Sequence, residues 1–255
     1  MIILTCDQGS DAWLHARAGV ITASMFATAR KRVGELDERQ QAYVDGVLSG
    51  LDEKVAAKAA GYAAVPRAAG IAKALRGEPV GDYSEEAQSY AFRLAIERGS
   101  GEPLDEGFET HAMRRGHELE PFARAEFEVQ TGLMVQRAGF VLTDDGVFGA
   151  SADGLIGGDD GIEIKCFIDP TRIRRFHVDN DFSEVFEQAQ GCMWITGRQW
   201  WHIALYCPAL AYANKQLLWR RFERDDAFIE NMRDDLLAFR SMVDAFECEL
   251  KREAA

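Results

Sequence analysis

The stretch GIEIKC, residues 161–166, alternates apolar and charged side chains with a period of two. In an extended strand that spacing sends Glu163 and Lys165 to one face and Ile162 and Ile164 to the other, toward a core. Upstream, Phe140-Val141-Leu142 reads as a strand, Asp145-Gly146 as a hairpin turn and Val147 to Ala150 as its return. Asp153 stands at the end of that hairpin. A turn through Gly157-Gly158 lays the next strand alongside and can carry Asp153 to the face of Glu163 and Lys165.

Two carboxylates and an ammonium converging on a sheet edge have a specific use. Carboxylates are hard oxygen ligands suited to Mg²⁺, and a lysine can hold or help deprotonate an attacking water. Metals so held stabilise the entering and leaving oxygens of a phosphodiester. Taken singly, each feature has a blander reading: Glu and Lys two apart describe a solvated strand face, and Asp before Gly a turn. Glu120 adds weight, because it lies on the helical stripe Met113, Gly116, Glu120, Ala123, Phe127, where an acid is snorkelling, paired or a ligand. Gln190, on the next helix, would ordinarily be a surface amide.

Around this centre the chain reads as helices, a β-meander, a helix, two strands and a helix. Residues 2–5 form a short strand, and 11–18 a short helix capped by Ser10. Thr22 or Ser24 caps a second helix running into Arg30. Residues 33–110 are helix-rich and punctuated by glycine, with a clear helix over about 84–98 that Gly99 ends and a loop at 99–103. Helix follows over 106–132. A third strand covers 161–168, a helix spans Phe182 to Trp194, strands cover 200–206 and 215–222, and an amphipathic helix closes the chain over 225–250. The order predicts a mixed α/β core with a central sheet.

The 255 residues carry a formal net charge of −13, which counts against nucleic acid unless some acids are metal ligands or a basic channel lies inside an acidic exterior. No apolar run approaches ~18 residues, so no membrane span is expected. No secretory signal is expected from the N-terminal sequence. Five scattered cysteines, Cys6, Cys166, Cys192, Cys207 and Cys248, fit reduced thiols in the cytoplasm rather than a structural zinc. The five histidines have no familiar zinc-ligand spacing and read as structural or surface residues. Trp194, Trp200 and Trp201 flank an apolar strand and read as core. No phosphate-cradling Gly-rich loop with Lys-Ser/Thr is present, so ATP-driven motion is not expected.

Three blocks carry a resemblance: DQGSDAWLHARAGVITAS at 7–24, AMRRGHELEPFARAEFEVQTG at 112–132, and the run from GASADGL through GIEIKC to EQAQGCMWITGRQWWHIALYCP at 149–208. The chain resembles the bacteriophage lambda exonuclease family, the YqaJ-type viral recombinases within the PD-(D/E)xK nucleases. The resemblance implies a restriction-endonuclease-like α/β core, with a central mixed sheet flanked by helices, as one nuclease domain over 1–255 with a helical insertion at about 25–111. It implies two Mg²⁺ ions, with Mn²⁺ able to substitute. Asp153 would bridge them, Glu163 and the backbone carbonyl of Ile164 would complete one site, and Glu120 would help hold metal. Lys165, assisted by Gln190, would position the water. Arg17, Ser24 and Ser151 would form a pocket for a DNA 5′-phosphate, which suits a guanidinium and neutral hydroxyl donors. Ala152 stands where the family usually has a proline, a residue that shapes the turn.

The resemblance further implies 5′→3′ digestion of double-stranded DNA ends, a ring-shaped homotrimer and a single-strand-annealing partner, in a phage or prophage setting. Arg172, Arg174 and Arg175 are candidates for the ring's basic lining, or else a solvated charge run. Two rival readings are an endonuclease or 3′→5′ enzyme on the same scaffold, and a non-catalytic DNA-end-binding recombination scaffold.

Overall fold

The computed structural model describes residues 1–78, 80–104 and 111–252. The chain opens with β1 (Ile2–Leu4), α1 (Asp11–Arg17), β2 (Ile21–Thr22), a 3-10 turn at Ala23–Met25 and α2 (Phe26–Arg30). Next come β3 (Arg32–Val33), α3 (Glu38–Leu48), α4 (Glu53–Ala59), α5 (Ala69–Leu75), β4 (Asp82–Tyr83) and α6 (Glu85–Ser100). The remainder runs α7 (His111–Thr131), β5 (Val135–Gln136), β6 (Phe140–Leu142), β7 (Phe148–Ser151), β8 (Gly154–Ile156) and β9 (Asp160–Lys165). It ends with α8 (Pro170–His177), α9 (Ser183–Thr196), β10 (Trp200–Tyr206), a 3-10 helix at Pro208–Ala213, β11 (Leu217–Glu223) and α10 (Asp226–Lys251). The class is mixed α/β, with mixed sheets flanked by helices. Among the described residues no helix is long and apolar enough to cross a membrane.

Two compact units divide the chain: Arg30–Ser89, and Met1–Ala29 with Tyr90–Ala255. The smaller unit is a set of short helices around Tyr43, Val44, Ala56, Ala57 and Ile71. Its entry into α3 is fixed by a capping box, in which Asp37 accepts from the Gln40 backbone and the Gln40 side chain accepts from the Asp37 backbone. Arg39 lies over the ring of Tyr62 at 4.0 Å and donates to the Ala60 carbonyl at 3.1 Å.

The larger unit holds two sheets where a single central sheet is expected from sequence. One has the order β1-β6-β7-β2 and the other β11-β10-β9-β8-β5. They are linked by one long antiparallel pair. Val135 and Gln136 pair with Ile156 and Leu155, and Phe140 to Leu142 pair with Ser151 to Gly149 in the same register. The ladder lapses between these two stretches, so the register sets Ala138 opposite Asp153 at the handover. The strands read from sequence at 140–142 and 147–150 give no sign of such a handover. Gly139 is required there: a Cβ would collide with the Leu4 carbonyl oxygen and crowd the Cys6 backbone.

The strand expected over 161–168 ends at Lys165. Asp169 then caps α8, accepting from the Thr171 backbone at 2.9 Å with Pro170 in the first helical turn. Asp-Pro is an ordinary helix start, and the strand expectation overrides it wrongly. α6 continues through Gly99 to Ser100, and the helix expected to begin at 106 is described from His111, residues 105–110 lying outside the described set. β9 and β10 run parallel, joined by the α8–α9 crossover. Ile162 and Ile164 pack with Ala123 and Phe127 of α7, as the alternation requires. Phe26, Phe148 and Trp194 meet edge-on or tilted between α2, β7 and α9, with centroids 5.0–6.3 Å apart. Of the histidines, His202 is buried against Phe127 and bonded to Asp160 at 3.0 Å. All five cysteines are free.

The collision at residue 139 generates a test. Gly139→Ala should lower unfolding stability by about 1–3 kcal/mol, the usual range for forced overpacking. Chemical denaturation compared with the wild-type chain measures it; an unchanged midpoint contradicts the close approach of β1.

Candidate active site

Beyond Ile162 the strand partnering β9 bends away, since Gly154↔Ile162 is the last pair of the β8–β9 ladder. The Ile164 N–H therefore needs another acceptor, and Asp153 Oδ2 provides it at 2.6 Å. This bond draws Asp153 to the edge that carries Glu163 and Lys165. Lys165 Nζ donates to Glu163 Oε1 at 2.7 Å, so the two share a face as the alternation predicts. The three side chains expected to converge do converge.

Glu163 is buried, and its Oε1 also accepts from Gln188 Nε2 at 2.8 Å. Its Oε2 is buried with no partner among the described residues. Such an orphaned carboxylate oxygen is costly unless something cationic meets it. Burial, and then the charges of Glu163 and Glu120, push Asp153 well above the ordinary carboxylate range. Burial pulls Lys165 down, but Glu163 and Asp153 outweigh it and hold the ammonium above its usual value. Burial raises the neighbouring Cys166 thiol to about 11.

Glu120 reaches the site from α7 and pairs with Arg124 one turn on. Arg124 also donates to the Asp153 carbonyl at 3.3 Å, tying α7 to the handover. Pro121 follows Glu120 within the helix and has no N–H to offer the His117 carbonyl. Arg115 donates to the Cys166 carbonyl at 3.0 Å and pins the end of β9. Gln8 donates to the Ala152 carbonyl at 3.0 Å. A cavity of about 550 Å³ opens over this edge, lined by Gln8, His117, Glu120, Asp153, Glu163 and Lys165, with Phe167 and Arg172 also on its lining. Ile164 lines it too, beside the N–H that holds Asp153.

Gln190 is elsewhere, which corrects the expectation that it assists Lys165. Its Nε2 donates to the Glu223 carbonyl and its Oε1 accepts from the Asp225 N–H, both at 2.9 Å, so the buried amide clamps the β11–α10 junction. Residues two apart on a helix face nearly opposite sides. Gln188 is the amide on the Glu163 side, with Cys192 one turn along. Sequence carries part of this signal: only one of two glutamines in EQAQ can share a face with the sheet.

Arg17 and Ser151 meet at one indole. Trp13 Nε1 donates to Ser151 Oγ at 3.0 Å, and the Arg17 guanidinium lies over the Trp13 ring at 4.0 Å. β2 and β7 run parallel with Thr22 opposite Gly149, and Ser24 and Ser151 each follow by two residues at the same sheet end. Ser24 is exposed, 3.4 Å from the Thr22 hydroxyl. Sequence reasoning misses Trp13 as the contact of both Arg17 and Ser151, although it sits between Ser10 and Arg17 in the same short segment. The basic run after β9 is internally neutralised: Arg172 pairs with Glu184, Arg174 with Asp179 and Arg175 with Asp181.

Among the described residues no three His, Cys, Asp or Glu side chains are gathered tightly enough to hold a metal by themselves. The carboxylates are instead engaged with Ile164, Lys165 and Arg124. One or two carboxylates supplemented by waters and substrate oxygens is the ordinary mode for Mg²⁺, so the donor set suits it.

No curated protein matches the chain. Among solved structures, an alkaline exonuclease from Laribacter hongkongensis matches with a TM-score of 0.67 and 28% identity over 95% of this chain and 97% of that one. The same enzyme in complex with dAMP matches equally. A phage-related exonuclease from Haemophilus somnus 129PT shares the fold, with a TM-score of 0.60 and 16% identity over 91% of this chain and 96% of its own. The family model of the YqaJ-like viral recombinase domain matches residues 64–199, more than half of the chain and including Asp153, Glu163, Lys165 and Gln188. The chain therefore belongs to the YqaJ-like viral recombinase domain family.

Proposed function

We propose that this chain is a divalent-metal-dependent exonuclease that digests double-stranded DNA from its ends, 5′→3′, leaving a 3′ single strand for recombination. The observation that carries the reading is the meeting of Asp153, Glu163 and Lys165 on one cavity wall, with a buried Glu163 oxygen unpartnered. The likeness to an enzyme named an alkaline exonuclease, and seen with a mononucleotide, supports it.

Glu120, Asp153, Glu163 and the Ile164 carbonyl would hold two Mg²⁺ ions, with Mn²⁺ as a substitute. Bound there, the cations would stabilise charge on the attacking and departing oxygens. Lys165 holds the water beside the phosphate, and Gln188 keeps the Glu163 carboxylate turned into the site. The water oxygen bonds to phosphorus, the P–O3′ bond breaks, and the 3′-oxygen takes up a proton. Arg17 and Ser151, held by Trp13, and Ser24 bind the 5′-phosphate of the end being digested. A homotrimeric ring would bring basic side chains of three copies around the duplex, and a single-strand-annealing protein would receive the 3′ strand.

Asp153→Ala and Lys165→Ala should each reduce nucleotide release more than a hundredfold, within the range for losing a group that handles the proton or its metal. Their far-UV circular dichroism should match wild type. Wild-type turnover by either variant rules out the site. EDTA should abolish release, and added Mg²⁺ or Mn²⁺ should restore it; release undiminished in EDTA ends the metal reading.

The two glutamines should separate. Gln188→Ala should lower turnover about 10–100-fold, as for a residue that orients a metal ligand, with little change in melting. Gln190→Ala should cost about 1–3 kcal/mol of stability by leaving two buried backbone groups unpaired. The reverse pattern would return the catalytic assignment to Gln190.

A duplex labelled at its 5′ or 3′ end tests polarity. The 5′ label should be released first and supercoiled circles should stay intact. Nicking of the circle favours the endonuclease, prior loss of the 3′ label favours 3′→5′ digestion, and absence of any release favours a non-catalytic end binder. Arg17→Ala should narrow the preference for 5′-phosphorylated over 5′-hydroxyl ends, measured as kcat/KM on each.

A further inference from the structure

A second cleft, of about 240 Å³, adjoins the first at Asp153. It shares Gln8, Glu120 and Asp153 with the larger cavity, but Glu163 and Lys165 line only the larger one. Glu120 and Asp153 thus border both recesses. The second is walled by the N-terminal segment around Asp7 and by residues 137–139, the stretch where the ladder lapses opposite Asp153.

Its basic group is Arg137. The side chain is exposed and has no hydrogen-bond or ion-pair partner among the described residues, although Asp7, Glu120 and Asp153 line the same cleft. That sets it apart from Arg124, at the Asp153 carbonyl, and Arg172, at the larger cavity, each of which pairs with an acid. A guanidinium left unpaired in an acidic cleft is placed for an anion brought by the ligand, and its fork of donors matches phosphate.

Resting on the nuclease reading, we infer that the second cleft receives the nucleotide carrying the leaving 3′-oxygen, and that Arg137 binds a phosphate of that nucleotide. In-line displacement puts the leaving oxygen opposite the attacking water. With the water held by Lys165 on the side of the larger cavity, the departing group lies toward the smaller. For 5′→3′ digestion this nucleotide is the terminal one, and the phosphate it offers is the 5′-phosphate. Arg137 is then a second reader of the end, approaching from the residue 137–139 side, while Arg17 approaches from α1.

The test uses binding without cleavage. Fluorescence anisotropy with Ca²⁺ in place of Mg²⁺ compares 5′-phosphorylated with 5′-hydroxyl duplexes, for wild type, Arg137→Ala, Arg137→Lys and Arg17→Ala. Arg137→Ala should bind the phosphorylated end about tenfold or more weakly and the hydroxyl end unchanged, the size expected for a charged hydrogen bond to phosphate. Its salt dependence on the phosphorylated end should flatten by about one phosphate contact. Arg137→Lys should keep the salt slope and recover part of the affinity. Full phosphate preference in Arg137→Ala, or no preference in wild type, overturns the assignment. Nucleotide release with Mg²⁺ by wild type is scored separately, so failure of the nuclease reading is distinct from failure of the Arg137 contact.

Discussion

The hydrogen bond from the Ile164 N–H to Asp153 Oδ2 organises everything around it. It exists because one strand pair serves two sheets. Where the pair changes allegiance, β9 loses its neighbour and exposes a backbone donor in the middle of a half-buried surface. An unpaired donor there would cost about 1–3 kcal/mol, so the chain benefits from a carboxylate at that point whatever else it does. The same bond fixes Asp153 beside the paired side chains of Glu163 and Lys165, which flank Ile164 in sequence and share one face. A defect in sheet pairing thus becomes the geometry of a site. The arrangement is braced from three directions: Gln8 on the Ala152 carbonyl, Arg124 on the Asp153 carbonyl and Arg115 on the Cys166 carbonyl.

The bracing residues come from distant parts of the chain, which explains what is legible in the sequence. The period-two pattern of GIEIKC needs no tertiary information, and both its faces follow from it: the isoleucines turn to α7, the charges to the cavity. The last helix is equally plain, because its apolar residues recur at one period over a long run, and β10 because it is a nearly continuous apolar run. Adjacency of strands is enough to predict Asp153 beside Glu163, and it does lie there, but through a side-chain bond across a break rather than a ladder.

What stays hidden depends on which of two locally equivalent choices the packing makes. Gln188 and Gln190 have the same chemistry and occupy one helix; only the packing of α9 against β9 and the β11–α10 junction separates them. The split into two sheets is hidden for a related reason. The hairpin is read from sequence at 140–142 and 147–150 alone, and nothing in the composition of the flanking β5 and β8 marks the residue at which a new neighbour takes over. Gly139 is the nearest sequence signal, since it is where β1 presses against the pair. The α8 helix is a different case: Asp169-Pro170 is a helix start by ordinary capping chemistry, and it outweighs the apolar residues that extend the strand pattern past Lys165.

The charge of the chain follows the same local logic. A net charge of −13 looks hostile to a polyanion, but surface charge acts over about 8–10 Å in physiological salt, so the neighbourhood of the cavity decides. Most arginines there are engaged with acidic neighbours and present little net field; the run at 172–175 is cancelled pair by pair. The acids at the cavity are different. Asp153 is crowded by two like charges, and Glu163 keeps a buried oxygen without a donor. Such a cluster repels phosphate when alone and attracts it once divalent cations bind, because each ion brings two positive charges to a poorly solvated spot. On the proposed reading, DNA affinity near the scissile linkage is therefore conferred by the metal, and the excess of acid in the composition is compatible with the substrate. The guanidiniums of Arg17 and Arg137 are then left a narrower role. They distinguish the end of the strand from its interior, where a continuous backbone offers no terminal phosphate.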